Sequence, residues 1–307
     1  MARLGDIAPD DIRTIPTFRA AYSDRTALLM AKLAMRAYEA FDVDEGSWLK
    51  FNESFRALGL TEYNRLVDAQ VGTAGFVIAG DDIIIVVFRG TQDRLDWMTN
   101  MRAAWIKLEG GTRVHTGFFQ AYWPIKEPLF STVEALLKRK QRPVYVTGHS
   151  LGGALALMAT AELANHAEAY IRDSIAACYT FGCPRAGDSS FDQMVKVPLY
   201  RVTNGVDIVP AVPPAILGYR HVGDSRYFGR PGQPPSRLSP NIFQKIWRTL
   251  WGLLAVVRNF EFHNIADHAM PMYVGKLQAW AGANIRETRE RRAATVDPET
   301  TARAKSA

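Results

Sequence analysis

The chain has 307 residues, of which 48% are hydrophobic and 22% charged. This globular composition excludes disordered, collagen-like and disulfide-scaffold classes. The net charge is +6, and the seven basic residues and one acid between Tyr219 and Arg258 account for all of it. Positive charge concentrated in this way favours an anionic partner surface. No nucleic-acid motif accompanies the basic segment, so we expect no nucleic-acid partner.

The amino-terminal segment and the apolar runs argue against a chain that spans a membrane. Three aspartates lie within the first eleven residues, where a signal peptide requires an apolar core. The longest apolar runs, residues 83–88 and 251–257, are far shorter than the ~20 residues that cross a bilayer. We therefore expect a cytoplasmic or peripheral membrane protein, although secretion without a signal peptide fits the same residues.

The predicted secondary structure alternates between helices and strands. A helix over residues 22–38 comes first, with Ser23 as its N-cap. The elements that follow are a hairpin over 75–88, a strand over 143–147, a helix over 152–166, and strands over 176–181 and 199–202. This order predicts an α/β fold whose central, mostly parallel sheet is flanked by helices on both faces.

The last third of the chain has a different composition. After residue 207 it becomes rich in proline, which predicts surface loops, and an amphipathic helix is expected over 242–260. Another helix is expected just after His268, whereas residues 286–307 are charged, lack aromatic side chains and are expected to be a flexible tail. We therefore expect a single domain over residues 1–285, with 242–260 as a helical insertion.

Cysteine usage and motif content bear on metals and cofactors. Cys178 and Cys183 are the only cysteines, and their spacing matches neither a zinc site nor a disulfide scaffold, so we expect both to be buried or without a chemical role. The sequence has no zinc-protease, phosphate-loop or dinucleotide-binding motif. We therefore expect no metal and no cofactor.

The segment Gly148-His149-Ser150-Leu151-Gly152 lies between a predicted strand and a predicted helix. That is the context of a nucleophile elbow, in which a sharp, strained turn exposes a serine hydroxyl. The glycines at both ends remove side chains that would collide with neighbouring backbone. A strand-to-helix connection that contains serine by chance has the same motif. The flanking strand and the alanine-rich helix favour a nucleophile at Ser150.

A serine nucleophile requires a base and a carboxylate that orients the base. In α/β-hydrolases these follow the serine in the order carboxylate, then histidine. Asp207 is the preferred carboxylate because it follows the strand over 199–202, near the strand end where α/β sites assemble; a turn-capping role is the alternative. His221, His263 and His268 are the candidate bases, and order and spacing favour His268 over His263.

Seven short motifs, in order, resemble those of class 3 lipases, the family of fungal triacylglycerol lipases and their bacterial relatives. The motifs are Phe88-Arg-Gly-Thr91, Asp96-Trp97 with Asn100, His115-Thr-Gly-Phe118, Gly148-His-Ser-Leu-Gly-Gly153, Thr180-Phe-Gly-Cys-Pro-Arg-Ala-Gly187, Asn204 to Pro210, and Asp267-His268. The resemblance implies an α/β-hydrolase with Ser150 as nucleophile, Asp207 as orienter and His268 as base. It also implies an oxyanion hole at Thr91, whose backbone N–H would act together with that of Leu151.

The segment after Thr91 is where lipases of this family carry their lid. Its apolar residues have approximately helical spacing, and the candidate lid residues are Leu95, Trp97, Met98, Met101 and Trp105. A lid that is apolar beneath would cover the site in water and open at a lipid surface. An ordinary helix that packs on the core fits the same pattern.

The predicted helix over residues 242–260 is basic and amphipathic. Trp247 lies on its apolar face, Trp251 at the boundary, and Lys245 and Arg248 on the opposite face. Such helices suit the interface of an anionic membrane or the surface of a lipid droplet. A helix that packs on the protein body or on a second copy of the chain is the alternative.

Together these observations predict a hydrolase of lipid carboxylic esters. Triacylglycerols are the leading substrates because of the family resemblance. The alternatives are a phospholipase A1 or a short-chain esterase that uses the same three residues, and a catalytically silent membrane-binding module. The expected partner is the lipid ester itself, and the sequence does not predict an oligomeric state.

Overall fold

A seven-stranded sheet forms the centre of the computed structural model, which describes residues 7–16, 21–41, 45–91, 104–205, 207–229, 233–237 and 267–295. In spatial order the strands are β1 (Leu60–Asp68), β2 (Thr73–Gly80), β3 (Ile84–Phe88), β6 (Val144–His149), β7 (Ile175–Phe181), β8 (Leu199–Asn204) and β9 (Asp224–Phe228). Two short strands, β4 (Trp105–Lys107) and β5 (Arg113–His115), pair separately.

Strand direction places the ends of five strands at one edge of the sheet. Strands β3, β6, β7, β8 and β9 are parallel neighbours, whereas β1 and β2 pair as antiparallel strands beside β3. The carboxyl ends of the five parallel strands therefore share one edge, called here the carboxyl edge. Loops that leave this edge are the ones that meet in α/β active sites.

The described helices cover both faces of the sheet. They are α1 (Pro9–Arg13), α2 (Asp24–Ala40), α3 (Glu45–Arg56), α4 (Thr116–Arg139), α5 (Leu151–Leu163), α6 (Ala169–Arg172), α7 (Ser189–Met194) and α8 (Met270–Thr295). One apolar cluster joins α4 and α5 to the sheet, and a second joins α2 and α8 to the other face. The predicted α/β fold, with a mostly parallel sheet and helices on both faces, is thus confirmed.

Local sequence explains the central elements. All five residues of β3 are buried, as expected for a parallel strand covered on both faces. Helix α2 begins after Ser23, whose hydroxyl accepts a hydrogen bond from the backbone N–H of Thr26 at 3.3 Å. The predicted helix after Ser23 and the predicted hairpin before Phe88 are therefore confirmed.

Three parts of the fold differ from the prediction. The predicted strands did not include β1 and β9, which are the two outermost strands of the sheet. Strand β9 lies within the segment that was predicted to form proline-rich loops. Helix α4, which was not predicted, runs through Pro124 and Pro128. Helix α8 continues to Thr295, so the first ten residues of the predicted flexible tail are helical; their Arg, Glu and Ala side chains are good helix formers.

Two smaller expectations concern membrane spans and cysteines. Among the described residues, no helix has the length and apolar character needed to cross a bilayer. Cys178 and Cys183 are both free and buried, as expected. Burial raises the pKa of the Cys178 thiol to about 12, so this thiol stays protonated at neutral pH.

Candidate active site

The turn between β6 and α5 holds Ser150 in a strained conformation. Its φ of 58° is positive, and no other non-glycine residue in the described part of the chain has a positive φ. The backbone N–H of Ser150 donates to the carbonyl of Phe181 at 3.0 Å, which ties the turn to the end of β7. A Cβ on Gly148 would lie 2.1 Å from the carbonyl oxygen of Gly152, so this turn requires glycine there. The geometry is that of a nucleophile elbow.

A buried carboxylate–imidazole pair lies next to this turn. The Nδ1 atom of His268 is 2.8 Å from Oδ2 of Asp207, and each side chain is only 1% exposed. Oδ1 of Asp207 accepts the backbone N–H of Val209 at 2.9 Å. A Cβ on Gly182 would lie 2.8 Å from both Asp207 Oδ2 and His268 Nδ1, so the pair lies against Gly182. Gly182 follows Phe181, whose carbonyl binds the backbone N–H of Ser150, and the pair is therefore close to the elbow. The structure thus brings together Ser150, Asp207 and His268.

The atoms that would exchange a proton have no competing partner. Ser150 Oγ and His268 Nε2 are both buried, and neither has a hydrogen-bond partner among the described residues. Because Nδ1 of His268 faces the Asp207 carboxylate, Nε2 is the nitrogen left to accept a proton. Hydrogen bonds between nucleophile and base are often long in a site without substrate and shorten when substrate binds.

The segment that contains Thr91 passes beside the elbow. A Cβ on Gly90 would lie 2.6 Å from the carbonyl oxygen of His149 and 3.1 Å from Cβ of Ser150. Thr91 follows directly, and Leu151 is the first residue of α5. The two backbone N–H groups expected to form the oxyanion hole therefore belong to residues adjacent to this contact. The positive end of the α5 dipole adds to the stabilisation of negative charge there.

His149 has a role that the sequence did not predict. Its Nδ1 lies 2.7 Å from the hydroxyl of Tyr38, and its Nε2 lies 2.7 Å from the backbone carbonyl of His268. Both ring nitrogens of His149 therefore have partners other than Ser150. The imidazole links α2 to the loop that carries His268, through a side chain that is fully buried.

Two further residues hold the loops of the site. Asn204, at the end of β8, donates its side-chain N–H to the carbonyl of Asp267 at 2.7 Å. The guanidinium of Arg185 donates to the carbonyls of Ala211 and Pro213, in the segment that follows Asp207. Arg185 lies in one of the motifs that carry the resemblance, but only the fold shows which carbonyls it contacts.

Tyr273 is a second unpredicted member of the site. Its hydroxyl donates to Oδ2 of Asp207 at 2.5 Å, on the same oxygen that faces His268. Burial, and then the charge of Asp207, raise the pKa of Tyr273 well above its usual value, so the hydroxyl stays protonated and remains a donor. The available sequence signal was a tyrosine in the first turn of the helix that follows Asp267-His268.

We expect Tyr273→Phe to lower kcat by about tenfold with little change in KM. The variant removes a hydrogen bond to a buried carboxylate, typically worth about 1.5–3 kcal/mol, and leaves the substrate side of the imidazole intact. Tyr145→Phe is the matched control, because the buried Tyr145 hydroxyl donates to the Pro16 carbonyl at 2.6 Å. Steady-state kinetics and thermal melts of both variants test this. Equal kcat values in both would contradict a role for Tyr273 in positioning Asp207.

Most candidate lid and interface residues lie outside the described residues. This holds for Leu95, Trp97, Met98 and Met101, for the whole segment 242–260 with Lys245, Trp247, Arg248 and Trp251, and for the rival base His263. Trp105 is described, and it lies in a strand instead of at the end of a helix. Its ring stacks on Tyr219 at a centroid distance of 3.7 Å, so pairing with β5 and aromatic contact override the helical spacing.

Within the described part of the chain, no three side chains of the metal-ligating types are grouped.

The fold and the elbow define the protein as an α/β-hydrolase. Residues 85–217 match the family model for lipase (class 3). The lipase of Rhizomucor miehei is 38% identical over 162 residues, covering 50% of this chain and 44% of that protein. A secreted mono- and diacylglycerol lipase of Fusarium solani is 36% identical over 170 residues, covering 51% and 49%. The matched region spans about half the length of these relatives.

Solved structures extend the similarity. The triacylglyceride lipase of Rhizomucor miehei superposes with a TM-score of 0.59 at 29% identity, covering 69% of this chain and 83% of that one. A triacylglycerol lipase described as having a serine protease triad gives 0.63 at 28% identity, covering 73% and 89%. The chain is thus similar to class 3 lipases, in sequence over residues 85–217 and in fold over more than two thirds of its length.

Proposed function

We propose that the protein is a serine hydrolase that cleaves carboxylic esters of lipids, with triacylglycerols as its leading substrates. One observation carries the proposal: the strained Ser150, whose hydroxyl has no partner in the described structure, lies beside the buried pair of His268 and Asp207. The relatives from Rhizomucor miehei and Fusarium solani, named as a triacylglyceride lipase and a mono- and diacylglycerol lipase, support the substrate class.

The proposed reaction passes through an acyl-enzyme. Nε2 of His268 takes the proton of Ser150 as its oxygen attacks the ester carbonyl, and Asp207 holds the imidazole in the required tautomer. The backbone N–H groups of Thr91 and Leu151 stabilise the oxyanion, each typically contributing about 3 kcal/mol. The alcohol leaves with the proton from His268. Water, activated by the same imidazole, then releases the carboxylic acid from Ser150.

We expect hydrolysis of a long-chain triacylglycerol to rise steeply once its concentration exceeds the solubility limit. The proposed substrate forms a separate phase, and the candidate lid after Thr91 would open there. Titration of released fatty acid across the solubility limit measures this rise, with a soluble acetate ester as the comparison substrate. If the acetate ester is cleaved fastest and no rise occurs, the protein is an esterase of soluble substrates.

A phospholipase A1 is the second candidate. A phospholipase A1 of Oryza sativa is 29% identical over 177 residues, covering 49% of this chain and 44% of that protein. The positive charge between Tyr219 and Arg258 would favour a substrate with a phosphate group. Release of the sn-1 acyl chain from phosphatidylglycerol, compared with release from an emulsified triacylglycerol, separates the two candidates.

The remaining assignments complete the proposal. We place the activity on one domain over residues 1–285, acting without a cofactor at a lipid–water surface. Candidate lid residues 95–105 and the basic segment 242–260 are proposed to contact that surface. Relatives from Fusarium solani and Malassezia globosa are described as secreted. That description supports action at a lipid surface, and it does not select a compartment for this protein.

A further inference from the structure

A row of polar side chains crosses the sheet at its β7–β9 end, on the face that α5 covers. Thr180, Arg201 and Ser225 are direct partners in the register of β7, β8 and β9, so their side chains lie side by side. The next partners on this face are apolar: Cys178 and Leu199 belong to the cluster that joins α4 and α5 to the sheet. A mostly buried arginine in such surroundings needs a partner for its charge.

Arg201 has no such partner in the described part of the chain. Its guanidinium forms neither an ion pair nor a hydrogen bond there, and its buried Nε has no acceptor. The carboxylate of Asp224, whose charge reaches Arg201, already pairs with Arg226 at 2.7 Å. Oγ of Ser225, beside Arg201 in the row, is also buried without a hydrogen-bond partner among the described residues. Burial lowers the pKa of Arg201 from its usual value, because its charge is poorly compensated.

Two more arginines reach the same face from the loops that cover it. Arg185 lies in the segment after β7, and Arg220 lies in the segment before β9. The backbone N–H of Arg220 donates to the Gly187 carbonyl at 2.8 Å, which joins the two segments. Their buried members of the α5-side cluster are Cys183, Ala186 and Val222. Burial, then the charges of Arg201 and Arg220, lower the pKa of Arg185 to about 10, so the three guanidinium groups are near enough to repel one another.

The two loop arginines keep hydrogen-bond donors that the described residues do not use. Arg185 contacts backbone carbonyls through Nη1 alone, and so does Arg220. The nearby carboxylate of Asp188 is already paired with Arg113 at 2.9 Å. Like charges gathered without a counter-charge are unfavourable, and a guanidinium presents a planar fork that matches two oxygens of one oxyanion. The cluster therefore has the charge and the donors that an oxyanion requires.

We propose that Arg185, Arg201 and Arg220 bind a phosphate-type oxyanion between the sheet and its covering loops, with the Ser225 hydroxyl as a further donor. Three positive charges favour a doubly charged anion over a halide or a carboxylate. Arg220 is exposed, so the site is accessible from solvent. The ligand is either free phosphate or the phosphate group of a larger soluble molecule. None of the four residues belongs to the proposed catalytic set, so binding requires no turnover.

The site has a consequence for the loop that follows Asp207. Nη1 of Arg185 holds the carbonyls of Ala211 and Pro213 in that loop, and the backbone N–H of Arg185 donates to the Val212 carbonyl at 2.8 Å. A bound oxyanion would neutralise the repulsion on Arg185 and fix its guanidinium. Phosphate should therefore stabilise the folded protein, since a ligand that binds only the folded state raises its melting temperature.

Thermal melts of the full chain near neutral pH, at constant ionic strength, test the proposal. We expect about 10 mM phosphate to raise the melting temperature by about 3 °C over chloride, as for a dissociation constant of about 1 mM. Acetate should give less than half of that rise. A rise with glycerol 3-phosphate equal to that with phosphate supports the site and identifies a phosphate group on a larger molecule. A rise with inorganic phosphate alone supports it and identifies the free ion.

Arg201→Gln distinguishes a ligand-binding arginine from a structural one. Arg201 makes no hydrogen bond to the described residues and it repels Arg185, so the melting temperature in chloride should fall by no more than about 2 °C. The rise with phosphate should disappear. Arg201→Lys keeps the charge without the fork and should retain less than half of the rise. Arg172→Gln is the matched control, because Arg172 pairs with Asp173 before the start of β7, at the opposite edge, and it should keep the full rise.

The absence of any rise over chloride at matched ionic strength would overturn the proposal. So would a full phosphate rise in Arg201→Gln, or an equal rise with acetate. If Arg201→Gln does not fold, Arg220→Gln decides the question, since this exposed arginine should also be needed for most of the rise. Hydrolysis of a soluble ester is measured separately on the same samples. A protein that binds phosphate but cleaves no ester would contradict the proposed function and leave this site supported.

Discussion

Replacing Ser150 with alanine is expected to lower kcat/KM for ester hydrolysis by about 10⁵-fold or more. The hydroxyl is the proposed nucleophile, and no other group at the elbow can form the acyl-enzyme. The same replacement should leave the melting temperature within about 2 °C of the parent. Ser150 Oγ has no hydrogen-bond partner among the described residues, so its removal leaves no buried group unsatisfied. Serine and alanine also experience similar strain at a φ of 58°.

A fluorophosphonate probe gives an independent measurement, because it reacts only with an activated serine. The parent should be labelled at Ser150, and Ser150→Ala should not be labelled. Ser131→Ala is the matched control, since Ser131 is exposed on α4 and its hydroxyl donates only to the Pro128 carbonyl. Full labelling of Ser150→Ala would contradict the assigned nucleophile. A parent that is folded but unlabelled would instead support the catalytically silent membrane-binding module.

The residues predictable from the sequence were those whose chemistry is encoded locally. The elbow requires glycines at fixed positions on both sides of Ser150, so its motif is visible in five consecutive residues. The strand before it and the helix after it are both buried in the described fold. Burial requires apolar side chains, so both elements could be recognised from the sequence. Asp207 and His268 were harder to select, since their pairing depends on how β8 and α8 meet. The choice relied on chain order and on the family resemblance.

The missed elements are stabilised by tertiary contacts. Strand β1 is largely polar because it lies at the edge of the sheet, and its pairing with β2 determines its conformation. In α4, Pro124 and Pro128 avoid the buried face formed by residues such as Ile125 and Leu129. The carbonyls that lose their helical partners can therefore reach water, and apolar packing compensates for the interruption. Local helix rules do not include that compensation.

The same reasoning explains why Tyr273 and His149 were missed. Each contacts, through one hydrogen bond, an atom of a proposed catalytic residue that is distant in sequence: Tyr273 the Asp207 carboxylate and His149 the His268 carbonyl. Neither residue type indicates such a role by itself. A buried tyrosine or histidine is more often an ordinary core residue, and which oxygen it faces depends on how the chain folds.

Replacing Asp207 with asparagine is expected to lower kcat by about 10⁴-fold, the size of the effect when a triad carboxylate becomes an amide. Among the described residues, the three groups that face this carboxylate are all donors: the Val209 N–H, the Tyr273 hydroxyl and Nδ1 of His268. An asparagine has one acceptor oxygen and one NH₂ group, so at least one donor would face another donor. If the NH₂ faces His268, the imidazole must adopt the opposite tautomer. Nε2 then carries a proton and cannot accept one from Ser150.

The matched control is Asp267→Asn, which removes a neighbouring negative charge without touching the contact to Nδ1 of His268. Steady-state kinetics on a soluble ester should show a severe loss of kcat for Asp207→Asn and a small effect for Asp267→Asn. The amide should also lower stability by roughly 1–3 kcal/mol, because a buried donor loses its acceptor. If Asp207→Asn kept most of its activity, the orienting carboxylate would have to be another residue, and the tautomer assigned to His268 would be wrong.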